Sequence, residues 1–338
     1  MKTGVKIMLL IGILLLAAGL TVLQIAHHRG ESFSANLTVF NTGFSGNFDF
    51  DQKDYTVLAG GKESFSAREV RTLKLDWISG SLSVERWDGK DLVVRETASV
   101  SLAEDESARW RLSGGTLSIL PCANSVRSLP EKQLTVLVPQ GLTLEGLDVD
   151  VASASARVSA LEITDRLAID AASGSLRVED CVCGTLGLRS ASGSQSVLRT
   201  RVNGDADADL ASGSFQAEGL DCAALSVDSA SGSQTLDALA CDTLRLETAS
   251  GAIRAEGLLC RGADVDGGSG AIRLGFDAAP DKVKVESSSG GVTLAFPKGT
   301  GLDLSFDSGS GRLRGELVYG ELPVEVDTAS GNLTIEYK

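Results

Sequence analysis

The sequence predicts an all-β protein, a single-stranded parallel β-helix (β-solenoid) of about ten rungs of 19–21 residues, preceded by one transmembrane helix. Two observations predict the solenoid. Serines recur at 153, 173, 192, 212, 231, 250, 269, 289, 310 and 330, and all but Ser153 are followed by glycine. Apolar residues lie four and six positions before these serines (Leu167/Ile169, Leu225/Val227, Val283/Val285, Val324/Val326) and three and five after (Leu176/Val178, Ile272/Leu274, Leu333/Ile335). Period-2 alternation on both sides of a Ser-Gly corner describes two short strands with one buried face. A unit this small cannot bury its own apolar face, so units must stack and share a core. A third observation predicts the membrane segment: Ile7 to Leu23 carries no charge, with Lys2 and Lys6 before it and Arg29 after it.

Taken in order, residues 1–29 are the expected N-terminal anchor. The apolar run is long enough to cross a bilayer, and the lysines on its N-terminal side place the rest of the chain outside the cytoplasm. Ala17-Ala18-Gly19 resembles a cleavage site, so a secretory signal is the alternative. Residues 30–69 are rich in Gly, Ser and Asn and read as a tether or extension. Residues 70–145 read as an irregular β cap over the open edge of the solenoid, because unpaired edges invite aggregation. Within that stretch Leu73 to Val84, around Ser79-Gly80, repeats the rung pattern. Residues 146–338 are the solenoid repeats. The absence of a six-residue sub-repeat favours a right-handed coil.

Alignment of the rungs turns positions into columns. Three residues before the serines stand Asp150, Asp170, Arg189, Asp209, Asp228, Glu247, Asp266, Glu286, Asp307 and Asp327, an acidic ladder pointing outward. Carboxylates suit hard cations such as calcium, but a solvated face that keeps a β-rod soluble explains the ladder as well. Four residues after the serines lie Arg157, Arg177, Arg254, Arg273 and Arg314, suited to pairing with carboxylates or to carboxylated glycans. Cys183, Cys222, Cys241 and Cys260 share a column with Ile163, Val202 and Ala279, which predicts buried thiols rather than disulfides.

The charge excludes one class of function. The net charge is −14, and from Glu145 onward there are 30 acidic and 16 basic residues. Such a surface repels phosphate backbones, so no nucleic-acid partner is expected, whereas a cationic ligand or envelope component suits it. No catalytic residue, cofactor or metal is assigned. The two histidines, His27 and His28, flank the membrane segment, which leaves the serine column without an imidazole base. Rung lengths are too even to build a cleft, and the repeats contain no tryptophan for sugar stacking.

The units Ala172-Ser173-Gly174, Ala191-Ser192-Gly193 and Ala249-Ser250-Gly251, with Val136-Leu-Val-Pro139 upstream, resemble the bacterial "putative adhesin" family of β-strand-repeat domains of unknown function. That resemblance implies a cell-envelope location, and association of some members with envelope-stress systems. The expected function is therefore a non-enzymatic, membrane-anchored extracytoplasmic solenoid acting in adhesion, binding or envelope-stress response. A glycan-active β-helix enzyme and a cation-responsive spacer are the alternatives.

Overall fold

A computed structural model describes residues 50–338 and the backbone of the short strands Thr38–Phe40 and Gly43–Ser45. The expected transmembrane helix falls outside the described residues. Among those that are described, no helix is long and apolar enough to cross a membrane. The described chain is all β apart from a single 3-10 turn at Ala59–Gly61. It forms a parallel solenoid in two compact units, divided between Ser192 and Gly193.

In the unit that ends at Ser192, Thr72–Trp87 is a complete rung. It runs parallel to Leu144–Ser159 with Leu147 opposite Leu73, Ser153 opposite Ser79 and Val158 opposite Val84. The repeat boundary expected at 146 therefore falls one rung late. The insertion between Trp87 and Leu144 breaks the serine spacing, so the rung pattern read at Leu73 to Val84 stood apart from the repeats it belongs to. On its other side Thr72–Trp87 meets two strands end to end, Thr116–Leu120 and Lys132–Pro139. Each of these begins an antiparallel arm. Lys132–Pro139 pairs with Leu92–Ala98, and that strand pairs with Lys62–Phe65. Thr116–Leu120 pairs with Arg109–Ser113, which pairs with Thr56–Val57. These arms cover the sheet end. Residues 56–65 thus belong to the packed cap rather than to a tether, and Phe65 packs edge-on against Trp110 at 4.9 Å.

The cap is pinned by a buried ion pair. Lys132 Nζ lies 2.7 Å from Glu96 Oε1, with both side chains at most 2% exposed. The ammonium also donates to Glu106 O at 2.6 Å and Pro121 O at 2.5 Å, and it sits 5.0 Å from the Trp77 ring centroid. Glu96 in turn accepts from the Ala108 N–H. A buried charge is costly unless it is paired and hydrogen-bonded on every side, and this pair is.

In the 193–338 unit successive rungs stack in register from Asp205–Ser212 to Val292–Phe296. The last two rungs then exchange places. Leu322–Thr328 pairs with Lys282–Ser287 on one side and with Leu302–Ser308 on the other, and Leu333–Tyr337 likewise lies between Val292–Phe296 and Leu313–Arg314. The C-terminal rung is therefore internal, and the rung before it is outermost. Serine spacing reports a period but carries no information about order, so the sequential stack expected from it is corrected here.

Stacking explains the glycine after each serine better than the turn does. A Cβ on Gly232 would lie 1.5 Å from Gly213 O, and one on Gly270 would lie 1.6 Å from Gly251 O. Each corner rests on the carbonyl of the corner next to it, leaving no room for a side chain. Gly232 also has φ +139°, outside the range L-residues favour.

Candidate functional site

The ladder positions lie on strands whose alternate residues are buried, so their side chains emerge on one face. In the 193–338 unit the register sets Asp209 beside Asp228, then Glu247, Asp266, Glu286, Asp327 and Asp307, in that spatial order. Adjacent strands lie about 4.8 Å apart, so each carboxylate has like-charged neighbours within a Debye length. The flanking outward columns add Asp205, Asp207, Asp264, Asp303 and Glu325 against Arg245, Lys282 and Lys284. Arg245 pairs with Glu247, and Lys284 pairs with Glu286 at 2.7 Å. Asp228, Asp266 and Asp327 have their carboxyls pushed above the usual range, first by burial and then by adjacent acids: Glu247 and Asp209, Glu286 and Glu247, and Glu325 and Glu286 respectively. In the other unit the same column runs Asp76, Asp150, Asp170, Arg189, with Arg189 3.9 Å from Asp170. Within the ladder itself carboxylates stand one per rung, and among the described residues no group of three or more His, Cys, Asp or Glu side chains converges as a metal site.

The arginine column is largely occupied by carboxylates two residues further along the strands. Arg157 and Arg177 both bind Glu179, Arg177 at 2.7 Å. Burial pushes the Glu179 carboxyl up, but hydrogen bonds from Arg177 and Arg157 outweigh it and hold the group below its ordinary value. Arg254 and Arg273 share Glu256 at 3.4 and 2.7 Å, and Arg273 also reaches Glu336 at 3.0 Å. These arginines are therefore committed within the fold.

All six cysteines are buried and free. Burial pushes Cys122 and Cys183 up to about 12 and Cys181 to about 11, so these three are inert thiols at neutral pH.

The reference serines serve the fold. Ser153 Oγ donates to Ile78 O at 3.0 Å, and Ser173 Oγ donates to Ala152 O at 3.4 Å. An open, polar cavity of about 550 Å³ beside the first corner is lined by Ser81, Thr97, Glu131, Lys132, Gln133 and Ser153, with no histidine in its lining; the Lys132 ammonium is held by Glu96.

A feature missed at the level of sequence lies under the corners. Alternation turns Ser229, Thr248, Ser287 and Thr328 inward, where they are buried. Ser287 Oγ accepts from the Gly290 N–H at 3.1 Å, Thr328 Oγ1 donates to Gly331 O at 2.9 Å, and Gln234 Nε2 spans to Ser229 Oγ and Glu247 O. These polar groups close the corners at Gly290 and Gly331 from inside, whereas Thr248 Oγ1 is buried without a partner.

An in-register stack of two-strand rungs around a glycine corner defines the class, a repeat solenoid with an extended surface. Residues 202–336 match the family described as Toastrack DUF4097, a domain of unknown function, in line with the resemblance carried by the Ser-Gly units. No curated protein matches the sequence. The similar solved structures include two crystal structures. One is of a "putative lipid binding protein" from Parabacteroides distasonis ATCC 8503, at 16% identity and TM-score 0.39, covering 81% of this chain and 97% of that one. The other is of a "putative cell adhesion protein" from Clostridium sporogenes ATCC 15579, at 11% identity and TM-score 0.23, covering 82% and 98%. At these values neither likeness bears on function.

Proposed function

We propose that the chain is a non-enzymatic binding or adhesion protein of the cell envelope. In this reading the N-terminal segment spans the membrane, and a right-handed solenoid is displayed outside, where it contributes to attachment or to an envelope-stress response. The observation that carries the proposal is the outward face of the 193–338 unit: a regular, in-register array of carboxylates with few compensating bases. Such a face suits a multivalent cationic partner, because each rung offers the same contact and weak contacts add along the stack. The arginine face is less suited to a ligand, since intramolecular carboxylates already hold most of it.

The test of display is protease treatment of intact cells expressing the full chain. The solenoid should be digested from outside while the anchor stays with the membrane fraction. Recovery of an undigested chain in the cytosol would contradict the proposal.

A further inference from the structure

Three cysteines occupy consecutive rungs of the 193–338 unit. Cys241 and Cys260 are register partners on adjacent parallel strands. Cys222 lies one residue beyond the bridge joining Asp221 to Ala240, and its N–H donates to Ala240 O at 3.0 Å. The three cysteines therefore stand in a line, with Cys241 between Cys222 and Cys260. Adjacent strands place paired Cα atoms about 4.8 Å apart, inside the window of about 4.4–6.8 Å that a disulfide needs. The paired Cβ atoms must close by a few tenths of an ångström to reach the usual range, a strain that makes the bond easier to reduce again. Accessibility separates this trio from the others: Cys222, Cys241 and Cys260 are 6%, 9% and 7% exposed, against 0%, 1% and 0% for Cys122, Cys181 and Cys183.

We propose that the Cys222–Cys241–Cys260 ladder is a reversible oxidation site that takes one disulfide, always through Cys241. The oxidant class is a peroxide. Either outer cysteine of the ladder, Cys222 or Cys260, can react first once it is ionised, since each lies beside Cys241. The outer thiolate attacks one oxygen of hydrogen peroxide, the O–O bond breaks, and hydroxide leaves. Cys241 then attacks the resulting sulfenic sulfur, forming the S–S bond as the S–O bond breaks and water departs with the Cys241 proton. Overall two thiols lose two electrons and two protons, and the peroxide becomes two waters. The remaining outer cysteine can in turn attack Cys241 and release the first, its proton passing to the released sulfur, so the bond can migrate along the ladder while one thiol always stays reduced. Either disulfide ties one rung to the next.

The test treats the purified full chain with hydrogen peroxide, alkylates it, digests it at aspartate and maps the peptides without reduction. The expected products are Cys222–Cys241 or Cys241–Cys260 links with the third thiol alkylated, all reversed by dithiothreitol. Cys241→Ser should abolish the link, whereas Cys222→Ser and Cys260→Ser should each retain one. The proposal is overturned by a Cys222–Cys260 link, or by a disulfide that survives Cys241→Ser. It is equally overturned if the trio goes directly to sulfinic or sulfonic acid, or stays alkylatable at a dose that oxidises the denatured chain.

Discussion

At the scale of single residues, two columns of tight corners shape the rungs, the second of them in six rungs, and they differ in how openly the sequence shows them. The Ser-Gly corner was legible because stacking on a neighbouring carbonyl excludes every side chain, which forces glycine at Gly213, Gly232, Gly251 and Gly270 alike. The second corner, seven residues after the serine, was not. It is left-handed at Ala160, Asp180, Arg199, Gly219, Ala238 and Gly257, with φ between 44° and 65°, and only two of these are glycine. Nothing crowds that corner as severely, so side chains persist at a conformational cost of about 1 kcal/mol each and erase the pattern. Gly232→Ala should therefore destabilise the chain by about 2–4 kcal/mol in urea unfolding, because its Cβ has nowhere to go. Ala238→Gly should stabilise it by up to about 1 kcal/mol in the same assay. The ladder predicts a pH dependence of definite sign. A carboxyl raised on folding is protonated more readily in the folded state, so its contribution improves as pH falls towards the ordinary carboxylate range. Asp228→Asn/Asp266→Asn should thus raise the melting temperature at pH 7 and low salt, with the gain shrinking on acidification or with added salt. Glu179 behaves oppositely. Its stabilisation is present above the ordinary carboxylate value and is lost as pH falls through its lowered one.

At the scale of elements, alternation located the strands and their buried faces, but it could not tell which strand lies beside which. Both irregular features arise from that gap. Thr72–Trp87 was recognisable as a rung from Leu73, Leu75, Leu82 and Val84, yet its pairing across the inserted cap to Leu144–Ser159 is a long-range fact. The cap's centre was also invisible, since nothing in the sequence joins Glu96 to Lys132 until antiparallel pairing of their strands sets Lys132 opposite Ala98, two residues from Glu96. Lys132→Ala should cost about 3–5 kcal/mol by leaving Glu96 charged and buried, and Glu96→Leu/Lys132→Met should cost clearly less. Chemical denaturation of the three proteins distinguishes these outcomes. The exchanged order of the last rungs predicts a reversal in amide protection. Leu322–Thr328, paired on both sides, should exchange more slowly than Leu302–Ser308, which lies further from the C-terminus but pairs with only one strand ladder. Faster exchange in Leu322–Thr328 would contradict the pairing.

At the scale of the whole molecule, composition already signalled a repeat protein, and the acidic excess already lay in the repeats. Register added which charges stand together. It turned a column of acids into a continuous face on the 193–338 unit and turned the arginine column into a set of internal ion pairs. The central claim is that this face is the contact surface for a cationic partner. The most direct measurement is salt-dependent binding of the full-length chain to immobilised polylysine, comparing Asp228→Asn/Asp266→Asn/Asp327→Asn with a control that removes three exposed carboxylates outside the ladder, Asp54→Asn/Asp88→Asn/Glu104→Gln. Net charge changes equally in the two variants. The account predicts that the ladder variant loses most of its binding while the control keeps it; equal binding by both variants would contradict it.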